Sequence, residues 1–366
     1  MKLKKSAALI LAASFILGTA ACSSSSSEAQ TETESETAQP LTIAESDTET
    51  EAPTETETAA DDAIPEGMMR SYLTGELVDE EVGSLKPFAI MINNHTDALP
   101  MSGVSQAEII YEAEVEGGIT RLMAIFQDIE DVEKIGSVRS ARHYYLDFAH
   151  DNEAIYCHYG WSQYAQNRIQ SEGIKTMNGL TLGDGTVYYR SSDRVAPHNV
   201  YTSGERLISG AESLGISREY PEGYTGRFTF NTEDTKPEGE TADSIYIALA
   251  SNVRFEYNAE DGLYYRYQHG YEHCDRENGD QLAFKNVIVQ FVDMWTISSY
   301  GHQDMTLNGE GSGYYFTDGV AVPVTWKRAD NSDYTMYYDS DGNEITLNTG
   351  KTMFEIIRSS VNVSYE

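Results

Sequence analysis

Cysteine is scarce in this chain: 366 residues hold three, Cys22, Cys157 and Cys274. They are too far apart in sequence for a thiolate zinc site of the CxxC kind. At most one disulfide is open to them, Cys157 with Cys274, and two separate thiols are the alternative. Basic residues are scarce too, 25 Lys and Arg against 59 Asp and Glu, for a net charge of −34. A surface that acidic repels nucleic acid and anionic headgroups, so nucleic acid is not an expected partner. The Gly-x-Ser-x-Gly elbow of α/β-hydrolases is missing, and no apolar run is long enough to stay in a bilayer as a spanning helix.

What is present begins with Lys2, Lys4 and Lys5, an apolar run from Ala7 to Gly18, and Thr19-Ala20-Ala21-Cys22. This order reads as a secretion signal, residues 1–22, ending in a lipidatable Cys22. Thr19 stands where Leu is usual, so cleavage with release is the alternative to acylation. Residues 23–66 are mostly Ser, Thr, Glu, Ala and Pro; from 28 to 66 there are 13 acids and no Lys or Arg. Such a segment buries too little to offset chain entropy and reads as a charge-extended, disordered tether. Residues 67–366 still carry −24, so the folded part is acidic in its own right.

From Lys86 onward the pattern is that of packed elements. Phe88–Ile92, Ile109–Glu116, Arg121–Gln127 and Ile155–His158 read as strands. His143–His150, Ser162–Glu172 and Ser203–Leu214 read as helices, the last stopped by Gly215. Interleaved strands and helices predict a mixed α/β layered domain over 67–223. After Gly223 short strands dominate: 246–250, 264–267, 287–295, 313–316, 320–326, 334–338 and 351–357. These predict a mainly antiparallel β domain over 224–366, making the chain α+β overall. The 25 tyrosines suit half-buried strands.

Polar residues concentrate between Asn93-Asn94 and Asn199. Glu112, Glu114 and Glu116 alternate, which on one strand puts three carboxylates on one face. Arg121, Arg139 and Arg142 follow, then Arg190, Arg194 and His198-Asn199. Glu112 or Glu116 fixing Arg139 or Arg142 is the structural reading. A pocket lined by Arg139, Arg142, Arg190 and Arg194 for a carboxylate or phosphate is the functional one. His158 and Ser162 sit at a strand end, where α/β folds often place ligands. For metals, His269, His273 and Asp275 are the candidates, with a loop or capping role as the alternative. Asp339-Ser340-Asp341-Gly342-Asn343 reads as a polar hairpin turn, because Lys351 stands where a calcium loop needs Glu.

The stretches Pro87–Asn94 (PFAIMINN), Tyr111–Arg121 (YEAEVEGGITR), Ile135–Arg142 (IGSVRSAR) and Pro197-His198-Asn199 resemble the YerB-type lipoproteins of Gram-positive envelopes. The similarity continues through Asn286–Gln290, Gly311-Ser312-Gly313 and Thr346–Thr352, and covers nearly everything from Lys86 to Ile357. The resemblance implies a surface lipoprotein with paired domains and supplies no activity or cofactor.

Two function classes follow. One is a membrane-tethered binding protein whose Arg/Glu cluster holds an anionic ligand or an envelope partner, a wall polymer or a wall-synthesis protein. The other is a cell-wall hydrolase or phosphotransferase acting on wall polymer or pyrophosphate-linked precursors, in which the glutamates hold a divalent ion or act as base and His198 serves as acid. The location has a direct test. Cys22→Ser should move the protein from the membrane fraction to the medium and abolish its labelling by a clickable fatty acid. An unlabelled parent chain would sink the anchor.

Overall fold

In the strand Phe88–Asn93, Phe88, Ile90 and Ile92 face one way and Ala89 and Met91 the other, and all are buried. A strand that is apolar on both sides needs cover on both faces, and the architecture follows from that. The computed structural model describes residues 64–366; the signal, Cys22 and nearly all of the tether lie outside the described residues.

The largest sheet has eleven strands. Its order is Glu240–Thr241, Val320–Arg328, Gly309–Thr317, Asn286–Val292, Thr352–Arg358, Ile109–Glu114, Thr120–Phe126, Phe88–Asn93, Ile155–His158 and Met177–Asn178, with Met336–Tyr338 added beside Val320–Arg328. Thr352–Arg358 lies at the middle, parallel to Asn286–Val292 on one side and to Ile109–Glu114 on the other. Segments 67–223 and 224–366 therefore both contribute to one sheet. A second sheet of six antiparallel strands comes wholly from the later segment, including Ser244–Ile247, Val253–Asn258 and Leu263–Gln268.

Each face of the large sheet has its own apolar cluster. On one, Ile90, Leu122, Val287 and Met353 pack with Ile245, Phe255 and Tyr264 of the second sheet. On the other, Met91, Tyr111, Met123 and Phe354 pack with Tyr145 and Phe148 of the helix Tyr145–His150 and Ile169 of the helix Gln163–Glu172. The helices start and stop where the residue chemistry predicts. Ser162 accepts from Ala165 N at 3.2 Å and Ser203 from Arg206 N at 3.4 Å. Gly173 and Gly215 close them at φ 66° and 61°, a left-handed conformation that costs glycine nothing.

The seam between the sheets carries charge. Glu112 and Glu355 are register partners on adjacent parallel strands, and both are fully buried. Arg266, equally buried, reaches across from the second sheet, ion-paired with Glu112 and 3.7 Å from Glu355 Oε1. Glu112 Oε1 also accepts from Asn94 Nδ2 at 3.0 Å and from the Thr120 hydroxyl. Burial, and then the charge of Glu112, push the Glu355 carboxyl well above its ordinary range. The fold therefore keeps a proton that the unfolded chain gives up, and stability falls as pH rises above 4.5. In Glu355→Gln that loss is gone. Calorimetry should show its Tm changing less than the parent's between pH about 5 and about 8. Parallel profiles would mean that Glu355 does not hold its proton.

Candidate functional site

Two guanidiniums pair with one carboxylate, Glu116, and a third, Arg139, stands close enough to feel its charge. Arg121 is the second residue of the strand Thr120–Phe126, while Arg139 and Arg142 lie on the loop that leaves the Val138 bridge to Ile92. Arg142 grips Glu116 with both arms, Nε to Oε1 at 2.5 Å and Nη2 to Oε2 at 2.6 Å. Arg121 Nη2 lies 3.7 Å from Glu116 Oε2, and its Nη1 donates to Ser140 O at 2.5 Å. Arg139 donates from Nη1 to Pro197 O at 3.1 Å, and its buried Nε has no partner. Burial and then the Arg142 charge bring Arg121 down to about 9 and also lower Arg139. For Glu116, burial works upward, but the hydrogen bonds and charge of Arg142, helped by Arg121, hold the carboxyl below its usual range.

Asn93 and His198 border this cluster. Asn93 Oδ1 accepts from His95 N at 3.1 Å, which fixes the amide, and Nδ2 then donates to His198 Nδ1 at 2.8 Å. The remaining ring nitrogen of a neutral His198 is an N–H. Burial, Arg139 and His95 hold His198 below its usual pKa. Beside it a cleft of about 690 Å³ is lined by Asp97, Arg194, His198 and Arg276, among others. His95, Asp97 and His198 offer one ligand atom each within 4.8 Å of one another. With one His198 nitrogen taken by Asn93, the other protonated, and Arg139 and Arg194 near, the group presents donors more than lone pairs to a metal.

The other sequence-predicted residues are dispersed. Arg194 donates to Asp97 O at 2.9 Å and Pro100 O at 2.7 Å, and Arg190 turns to Asp184 at 3.1 Å and Asn199 Oδ1 at 3.0 Å. Four arginines in one pocket is thus not the arrangement found: Arg139 and Arg142 share a cluster, Arg194 lies in the adjoining His198 cleft tied to the 97–100 segment, and Arg190 anchors a separate loop. Nor do the three glutamates share a face of one strand, since the strand ends at Glu114 and Glu116 begins a 3-10 turn. Each has its own cation: Arg266 for Glu112, Arg358 at 3.0 Å for Glu114, Arg142 for Glu116. His158 is buried, its Nδ1 2.7 Å from Gly160 O and its Nε2 3.0 Å from Thr176 Oγ1, and burial lowers its pKa to about 4. Ser162 is a helix cap. Asp275 accepts from Gly103 N at 3.0 Å and Ser105 N at 2.9 Å, a loop tie, and His273 turns to Arg266. His269 lies in the turn between them at φ 54°. Asp339 accepts from Asp341 N and Asn343 N, both at 2.9 Å, as a polar turn does. Cys157 and Cys274 are free thiols.

Two family models match the chain: the N-terminal domain of the protein of unknown function DUF3048 over residues 73–217, and its C-terminal domain over 244–354. The protein named "Putative lipoprotein YerB" of Bacillus subtilis (strain 168) is 32% identical over 303 residues, 81% of this chain and 89% of that protein. The chain belongs to the DUF3048 family. The crystal structure of YerB from Bacillus subtilis is similar with a TM-score of 0.72 at 30% identity, covering 81% of this chain and 99% of that one. The two-domain, sheet-rich α+β arrangement is thus a family property.

Within this DUF3048 fold, sequence reading passed over several charged residues of consequence. Arg266 and Glu355 were each visible as a lone charge at an inward position of an otherwise apolar or aromatic strand. Arg227 and Arg328 meet Asp151 at 3.6 and 3.4 Å, and Arg328 meets Asp147 at 3.3 Å, on the helix-covered face. Their partners lie more than 70 residues apart in sequence, and spacing carries no signal for that. The Arg cluster yields a stability test. Because the Glu116 carboxyl is depressed, its contribution is present above pH 4.5 and is lost as pH falls through the folded-state value. Glu116→Gln should lower Tm at neutral pH and match the parent in acid. A deficit that persists in acid would assign the loss to packing.

Proposed function

We propose that this is an extracytoplasmic lipoprotein, held to the membrane by acyl chains on Cys22 and raised on its acidic tether, whose 67–223 domain binds an anionic group of an envelope molecule at Arg139. The observation that carries this is charge balance. In a chain with 59 acids and 25 bases, Arg142 and Arg121 pair with the single carboxylate of Glu116, and a third arginine, Arg139, stands close enough to feel the charge of both Arg142 and Glu116. Arg142 spends both arms on that carboxylate, and Arg121 is buried behind it. Arg139 is the half-exposed member, and its Nε has no partner. Beside it, His198 keeps an N–H free for an incoming oxygen. Guanidinium and imidazole N–H groups suit phosphate or carboxylate oxygens. A wall polymer bearing such groups, or a wall-synthesis protein with an acidic loop, has matching chemistry.

The enzymatic reading finds less support in the same residues. His158 is locked between Gly160 and Thr176, Ser162 is spent on a helix cap, and Glu112, Glu114 and Glu116 each hold a guanidinium.

Calorimetric titration with pyrophosphate tests the binding reading. Arg139→Ala should weaken binding at least about tenfold, or about 1.4 kcal/mol, with Tm unchanged. Arg139→Lys should fall between, because an ammonium keeps the charge and loses the planar fork. Absence of pyrophosphate binding by the parent, or equal affinity in Arg139→Ala, removes the proposal.

A further inference from the structure

On the second sheet, away from the arginine cluster, Arg266 fixes two neighbours. Its Nη1 contacts Gln268 Oε1 at 3.2 Å and, more closely, His273 Nδ1. A guanidinium nitrogen has only hydrogens to offer. His273 Nδ1 must therefore be the lone-pair nitrogen, which puts the ring proton on Nε2. The same contact turns the Gln268 amide so that its NH2 points away from Arg266. Both Nε2 atoms are buried and neither has a partner, on side chains only 2% and 3% exposed. Native folds leave few buried N–H groups without an acceptor. Burial, then Arg266 and His269, keep His273 well below its ordinary pKa, so the imidazole is neutral.

Both residues line one cleft of about 350 Å³, between the Leu99–Pro100 segment and the 268–274 hairpin. Its walls include Leu99, Pro100, Tyr271 and Cys274. We infer that this cleft is a binding site for a small, largely apolar molecule that presents a carboxamide or peptide carbonyl oxygen to Gln268 Nε2 and His273 Nε2. The donors are uncharged, and Arg266 is already paired with Glu112. Glu272 on the rim is exposed and repels anions. A neutral carbonyl therefore suits the site better than a carboxylate. The apolar walls provide the affinity and the two N–H groups the orientation.

The test is long-range nitrogen–proton NMR on 15N-histidine-labelled protein, titrated with 3-phenylpropanamide and, in parallel, 3-phenylpropanoate. His273 should appear as the Nε2–H tautomer, and its Nε2 resonance should shift with the amide and less with the acid. Gln268→Met should weaken amide binding at least about tenfold. Leu99→Trp, which fills the cleft from the opposite wall without touching the Arg266 contacts, should abolish the shift. Arg139→Ala should leave it unchanged, which separates this site from the anion cluster. A Nδ1–H tautomer at His273, no shift up to millimolar amide, or parent-like binding by Leu99→Trp would each overturn the inference.

Discussion

The meeting of two sheets around one guanidinium is the constraint on which the rest of the molecule depends. Parallel pairing puts Glu112 and Glu355 side by side, where two buried carboxylates repel. Arg266 is the cation between them, and Glu355 lessens the conflict further by holding a proton. Removing one partner from a buried pair costs about 3–5 kcal/mol, against the about 5–15 kcal/mol that holds a typical domain. The pair also sets geometry outward in both directions. Through Glu112 it positions Asn94 next to the Asn93–His198 contact, and through Arg266 it positions Gln268 and His273.

Local patterns announced local structure. Phe88-Ala89-Ile90-Met91-Ile92 could be little other than a strand covered on both faces, and Ser162, Ser203 and Gly215 marked helix ends because caps act within a few residues. The α+β class and the mainly antiparallel character of the later strands were legible for the same reason, though Thr352–Arg358 pairs in parallel with Asn286–Val292. Strand order was not. Nothing in Thr352–Arg358 says that it pairs with Ile109–Glu114, since main-chain hydrogen bonds carry no sequence code.

The candidate site was legible by composition and illegible by partner. Arginines in an acid-rich chain stood out, and Arg142 with Glu116 was among the pairs expected. Separating Arg190 and Arg194 from Arg139 required knowing where the loops run. Glu112 shows the difficulty from the other side. It sits two residues from Glu114 and four from Glu116, yet its cation lies 154 residues away on another sheet. Long-range charge pairing is chosen by topology, and a sequence shows only that a charge must find a partner.

The central place of Thr352–Arg358 bears on how the chain assembles. This strand stands between the early strand Ile109–Glu114 and the later Asn286–Val292, and it follows both of them in chain order. Until it arrives, the growing polypeptide holds two partial sheets, each with an open apolar edge at what will become the middle. Contacts so distant along the chain close slowly. Emergence from the ribosome thus leaves the large sheet unfinished until Thr352–Arg358 is free. A chain cut before Thr352 is missing the keystone of its sheet, not a dispensable tail.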